Sequence, residues 1–183
     1  MGGELTVSDY AAYLANLAPI YRALEARTHV GTPRPGTEDL WNDGLDRVSS
    51  IEHDLRGLGV SDNGADLVTP EAKSYADYLE TLSGRDDLRL VAHHYTRYLG
   101  DLSGGQAIGA LVARHYGLTP NQLTFCEFPQ IDNIVRFKEA YRETLDGVPA
   151  SEAERDELVA EVKGAFGYNQ AVFEALGRSI SVV

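Results

Sequence analysis

Four glycines, Gly100, Gly104, Gly105 and Gly109, lie inside a segment whose apolar spacing otherwise reads as helix. Each glycine in a helix interior costs about 1 kcal/mol relative to alanine, so four forfeit roughly 3–4 kcal/mol. Stability does not explain that choice. Glycines let a backbone bend, or let something flat come close to it. Tight packing against a neighbouring helix through small residues explains them equally well on composition alone. Asp101 tips the balance. The apolar stripe of this helix runs through Val91, Tyr95, Tyr98, Leu102, Gly105 and Ile108, and Asp101 falls within its width. A carboxylate turned toward a core needs hydrogen-bond partners, so an inward acid among glycines points to a polar site over a ligand. The bland alternative is an Asp at the stripe's edge reaching water.

The rest of the chain is helical in pattern, and its 183 residues suit one all-α domain. The spacing predicts helices from about Thr6 to Arg27, Glu38 to Leu58, Thr69-Pro70 to Leu82, Asp87 to Tyr116, Ile131 to Leu145 and Ser151 to Leu176. Thr69-Pro70 is a cap followed by a first-turn proline, and Ser151-x-x-Glu154 is a capping-box pattern. No strand-like alternation competes.

Bulk properties narrow the function. A net charge of −12 argues against a nucleic-acid binder and against attraction to anionic membrane surfaces. No apolar run approaches the roughly 20 residues of a membrane span. The N-terminus lacks the pattern of a signal peptide, so a cytoplasmic location is expected. The single cysteine, Cys126, excludes an intramolecular disulfide and a cysteine-rich metal site.

The run Tyr95-Thr96-Arg97-Tyr98-Leu99-Gly100-Asp101-Leu102-Ser103-Gly104-Gly105-Gln106 resembles the distal-helix signature of biliverdin-producing heme oxygenases. The likeness continues in Leu17 to Glu25, in Arg136-Phe137-Lys138 with Tyr141-Arg142, and in Phe166 to Leu176 with Asn169. The resemblance implies a multi-helix heme oxygenase-like fold that cleaves heme b to biliverdin, CO and ferrous iron. Dioxygen and electrons from a ferredoxin or flavoprotein reductase would be consumed, and an acidic ferredoxin would meet the basic residues Arg136 to Arg142. The backbones of Gly100, Gly104 and Gly105 would meet the porphyrin face, with Asp101 as the oxygen-activating carboxylate. Tyr21, Tyr75, Arg97, Tyr98 and Asn169 would join its hydrogen-bond network. Tyr95 and Phe166 would sit near the heme, and Lys138 and Arg142 would meet its propionates. From the residues alone, any one tyrosine reads more often as plain core. Lys138 and Arg142 read as a solvated face paired with Glu139 and Glu143.

Leu102-Ser103-Gly104-Gly105-Gln106 also spells the signature of ABC-transporter ATPases. That class needs a Gly-x4-Gly-Lys-Ser/Thr phosphate loop, which is absent.

The family's axial histidine sits on a helix ahead of the first helix here, and Met1 to Leu5 resembles the connection that follows it. The axial ligand thus has no counterpart in this sequence, and the expectation is that its helix lies upstream. His93 and His94 share the helix of Asp101, on the wrong side for an axial ligand. His53 reads as exposed, and His29 and His115 fall near helix ends. The alternative is a heme carrier or sensor without turnover. Without that helix an apolar groove would be uncovered, which a homodimer could close.

Overall fold

The protein, seen in a computed structural model, is described here over residues 6–180. Its helices are α1 (Val7–Thr28), α2 (Val48–Gly57), α3 (Pro70–Glu80), α4 (Leu88–His94), α5 (Gly100–Tyr116), α6 (Ile134–Gly147) and α7 (Glu152–Ile180). Among the described residues there is no strand, which removes the α/β fold an ABC-type ATPase would require. No helix is long and apolar enough to cross a membrane. The segment Met1 to Leu5, read as a connection to a preceding helix, lies outside the described residues.

α1 is the central element and packs chiefly on α3 and α2. Its start is a capping box: Thr6 accepts from Asp9 N, and the Asp9 carboxylate accepts from Thr6 N at 2.7 Å. Leu14, Leu17, Ile20, Tyr21 and Leu24 recur at helical spacing and are buried. Asn16, fully buried among them, donates to Leu67 O at 2.8 Å and accepts from Thr69 N at 2.8 Å. This pins the start of α3 onto α1, with every polar atom of the amide used.

Two predicted helices differ in the structure. The segment expected to be helical from Glu38 starts its α-helix only at Val48. Asn42 accepts from Gly44 N at 2.8 Å, a side-chain turn that competes with helix, and only short 3-10 turns form there. The long glycine helix is broken by a π turn over Tyr95–Leu99, between α4 and α5.

Buried Asp54 and Arg47 hold the loop that later faces the glycines. Asp54 accepts from Thr124 N at 3.0 Å and Phe125 N at 2.8 Å. Arg47 donates to the carbonyls of Leu45 and Glu127 and covers the Phe128 ring at 4.0 Å.

Glu25 holds the start of α2, accepting from Arg47 N at 2.5 Å and Val48 N at 3.0 Å. Burial pushes its carboxyl up to about 7, against the opposing pull of those two N–H groups. Between the ordinary glutamate range and about 7 the folded chain therefore binds more protons than the unfolded one. This contribution is present at low pH and is lost as pH rises through that window. In urea unfolding, wild-type stability minus that of Glu25→Gln is expected to fall from about pH 5 to about pH 8. A constant difference would contradict this account.

Candidate functional site

The π turn carries Arg97, Tyr98 and Leu99, consecutive and all buried, whereas Gly100 that follows is exposed. Such turns concentrate at functional sites.

Arg97 is the hub. Its Nε and NH2 donate to Tyr21 Oη at 3.2 and 2.9 Å, and its NH1 donates to Asn169 Oδ1 at 2.6 Å. Its NH2 also lies 3.6 Å from Asp101 Oδ1, one helical turn on. Tyr21 donates to Asp101 Oδ2. Asn169 completes its own bonding by donating to Ala165 O at 2.8 Å. α1, the π turn, α5 and α7 thus meet in one polar cluster.

Burial raises the Asp101 carboxyl above the ordinary aspartate range and outweighs Arg97 and Tyr21, which pull it down. Burial acts against charge on Arg97, but Tyr21 and Asp101 more than offset it, so the guanidinium stays charged. Tyr21 is held well above the ordinary phenol range, by burial first. Tyr98 packs against Tyr21 with ring centres 5.6 Å apart. Its buried hydroxyl has no partner among the described residues.

The glycines divide into two pairs. A Cβ on Gly105 would lie 3.3 Å from the Cys126 carbonyl oxygen, and one on Gly109 would lie 3.0 Å from Cys126 Cβ. That pair lets the loop held by Asp54 and Arg47 close onto α5. Gly105, grouped by the sequence with the open face, therefore serves close packing. A Cβ on Gly100 would meet nothing within 4 Å, and one on Gly104 only Ile108 Cδ1 at 3.7 Å. Both readings of the glycine run thus hold, for different members.

A cleft of about 600 Å³ opens beside Gly100, between α5 and α7. Arg97, Asp101 and Asn169 line its polar side, and Phe166 and Phe173 line its apolar side. Phe166, expected beside a ligand, and Phe173 are 59% and 54% exposed. The core face of α7 is instead Ala165, Val172, Ala175 and Leu176. Ile108, expected on the α5 core stripe, is also exposed. Tyr13, read from the sequence as core only, stacks on Phe173 at 5.9 Å.

Other expected residues stand apart from this cleft. Tyr95 lines a neighbouring apolar cavity of about 610 Å³ that shares Phe166 with it. Lys138 donates to Ser103 Oγ at 3.2 Å, beside Gly104, and Arg142 donates to Lys138 O at 3.4 Å. Arg136, Glu139, Arg142 and Glu143 are exposed, as a solvated face would be, and no ion pair joins the cations to Glu139 or Glu143 among the described residues.

Tyr75 Oη lies 2.9 Å from His93 Nδ1, and His94 Nδ1 lies 2.8 Å from Tyr141 Oη. His53, expected to be exposed, is half-buried with Nε2 3.1 Å from Asn121 O. None of the histidines lines the cleft. The buried histidines and Glu161, which faces His93, had no sequence signal beyond helical position.

The fold and site define an all-α protein with a polar cluster beneath an open glycine face and beside exposed aromatic rings. The heme oxygenase family model matches residues 1–175. The chain is 33% identical over 183 residues to a heme oxygenase of Takifugu rubripes, covering 98% of this chain and 66% of that protein. It is 34% identical over 182 residues to a heme oxygenase of Pyropia yezoensis, covering 98% of this chain and 76% of that protein. The crystal structure of heme oxygenase-1 from Synechocystis sp. PCC6803 in complex with heme superposes with TM-score 0.88 at 29% identity, over 97% of this chain and 81% of that one. Heme oxygenase from Leptospira interrogans superposes with TM-score 0.86 at 31% identity, over 94% and 85%. The chain belongs to the heme oxygenase family.

The two glycine pairs should respond oppositely to a methyl group. Gly100→Ala is expected to raise stability by up to about 1 kcal/mol, because its backbone is already helical and the space is open. Gly109→Ala is expected to cost roughly 1–3 kcal/mol through overpacking on Cys126. Urea denaturation of the ligand-free protein measures both, and the reverse order would refute the division.

Proposed function

We propose that this chain binds heme b in the α5–α7 cleft and cleaves it to biliverdin, CO and ferrous iron. The carrying observation is the open face of Gly100 and Gly104 directly beside the Arg97–Tyr21–Asp101 cluster.

The residues lining the cleft fit one face of such a group, and no described histidine lines it to hold the iron. A flat apolar ring needs a wall without side chains, and Gly100 and Gly104 offer one. Phe166 and Phe173 add aromatic surface on the other side of the cleft. Lys138 and Arg142, beside Ser103, are the cations that would hold the propionates. Gly105 supports the wall from behind, and Tyr95 would close the edge next to Phe166.

When bound, heme supplies the iron that activates dioxygen and is itself the ring that is oxidised. The protein's part is orientation and proton control. Tyr21 occupies Asp101 Oδ2, while Oδ1 lies beyond hydrogen-bond range of Arg97. Oδ1 is thus the atom free to order a water molecule or to hold a proton. The raised pKa makes that proton available nearer neutral pH than an ordinary aspartate would. Arg97, 3.6 Å from Oδ1, pairs with the carboxylate without a direct hydrogen bond, and Asn169 holds Arg97 in place. The bare glycines leave room for a small diatomic molecule beside Asp101.

Electrons would come from a ferredoxin or flavoprotein reductase, and exposed Arg136 and Arg142 with Lys138 form a basic patch suited to an acidic donor. A cytoplasmic setting agrees with the lone, unpaired Cys126.

The test adds hemin, a reductase system and dioxygen. Wild-type protein is expected to develop a Soret band that is then lost as biliverdin forms. Asp101→Ala is expected to keep the band and lose product formation by about 10²-fold or more. Absence of the band would sink the reading, and a band that persists in oxygen without product would mark a heme carrier instead.

A further inference from the structure

Among the described residues, the charged side chains lining the α5–α7 cleft are Arg97, Asp101 and Glu174. Arg97 and Asp101 answer each other, with NH2 3.6 Å from Oδ1. Glu174 is left over. It is exposed on α7, and no ion pair involves it among the described residues. Arg178, one helical turn further on, pairs with Glu71 at 2.6 Å instead. Gln170, one turn back and also lining the cleft, donates from Nε2 to Glu174 Oε1 at 2.7 Å. An amide steadies the carboxylate at the rim without cancelling its charge.

The cations near the glycine wall give this charge a direction. Lys138 donates to Ser103 Oγ at 3.2 Å, beside Gly104, and Arg142 follows one turn along the same helix. Neither cation lines the cleft, whereas Gly100 and Glu174 do. Gly104 lies about 6 Å further along α5 than Gly100. The open wall thus runs from an anionic end near Glu174 to a cationic end near Lys138, with Phe166 and Phe173 as the apolar surface of the cleft. A flat apolar ring with carboxylates on one edge matches that gradient. A ring with carboxylates all round must set at least one against Glu174. Specificity is a difference of affinities, and a like charge that meets only the wrong ligand supplies it.

We propose that Glu174 is a specificity-determining residue: its unpaired carboxylate at the Gly100 end of the cleft repels carboxylates there, so the site selects porphyrins whose carboxylates share one edge. This rests on the proposed binding of heme in the cleft, and deepens it by naming the class of porphyrin that fits. Glu174 is exposed, so solvent screens the repulsion. The expected effect is several-fold and falls with salt.

The test titrates the protein with two metal-free porphyrins in low salt, followed by fluorescence. Protoporphyrin IX carries two propionates on one edge, and coproporphyrin III carries four distributed round the ring. Glu174→Gln keeps the side chain's size and removes its charge. It is expected to lower the ratio of the coproporphyrin Kd to the protoporphyrin Kd by about threefold. Glu174→Lys is expected to lower that ratio further, and about 0.5 M salt is expected to bring the three proteins together. Each protein meets the same two ligands, so the difference in apolar character between the porphyrins cancels. Both substitutions place a good helix former at an exposed helical position.

A ratio that is the same in all three proteins would mean that Glu174 serves only its bond with Gln170, and would overturn the proposal. Kd values that move in parallel for both porphyrins would overturn it as well. Failure of wild-type protein to bind either porphyrin is a different result: it would defeat the proposed function, and this inference with it.

Discussion

The guanidinium of Arg97 is the interaction on which the site depends. It is a buried cation, and burying a charge is costly unless it is paired and hydrogen-bonded on every side. Tyr21 from α1, Asn169 from α7 and Asp101 from α5 provide that, and the Tyr21 ring lies 4.9 Å beneath the guanidinium carbon. None of the four groups is stable there without the others. Asp101 would be an unpaired buried acid, and Asn169 a half-satisfied amide. The cluster ties α7, which packs chiefly on α4 and α3, to α1 and α5 beside the cleft.

A second set of polar ties acts at one remove and on the opposite flank of α5. Asp54 and Arg47 bind the backbone of the loop through Phe125 and Glu127, and that loop presses Cys126 against Gly105 and Gly109. One flank of α5 is thus closed by contact with the polypeptide, which needs glycine for close approach. The other flank is open and carries glycine although no protein atom requires it. Helix propensity is surrendered on both flanks, for packing at one and for access at the other. The exposed rings of Phe166 and Phe173 face the accessible side, where apolar surface costs least if a ligand covers it.

Much of this was legible in the sequence. Helical periodicity yielded an all-α chain and most helix ends, because caps such as Thr6-x-x-Asp9 and Thr69-Pro70 act within a few residues. The inward acid at Asp101 came from the residues themselves, and the partners Tyr21, Arg97 and Asn169 came through the family resemblance. The misplacements share one cause. Periodicity assumes an unbroken helix with a single buried face. The Asn42 side-chain turn shortened the second helix, and on α5 Gly109 rather than Ile108 continues the buried stripe of Leu102 and Gly105. On α7 the apolar residues divide between core and cleft, which a count of apolar positions cannot separate.

The sequence by itself determined the all-α class, most helix ends, the inward acid at Asp101 and the family, because each rests on residue type and short spacing along the chain. Only the tertiary structure decided which glycines are closed by Cys126 and which stay open, that Phe166 and Phe173 face a cleft, and that His93 is locked between Tyr75 and Glu161. Those depend on residues 18 to 80 positions or more apart meeting in space. Helix packing arranges such meetings, and no local pattern encodes them.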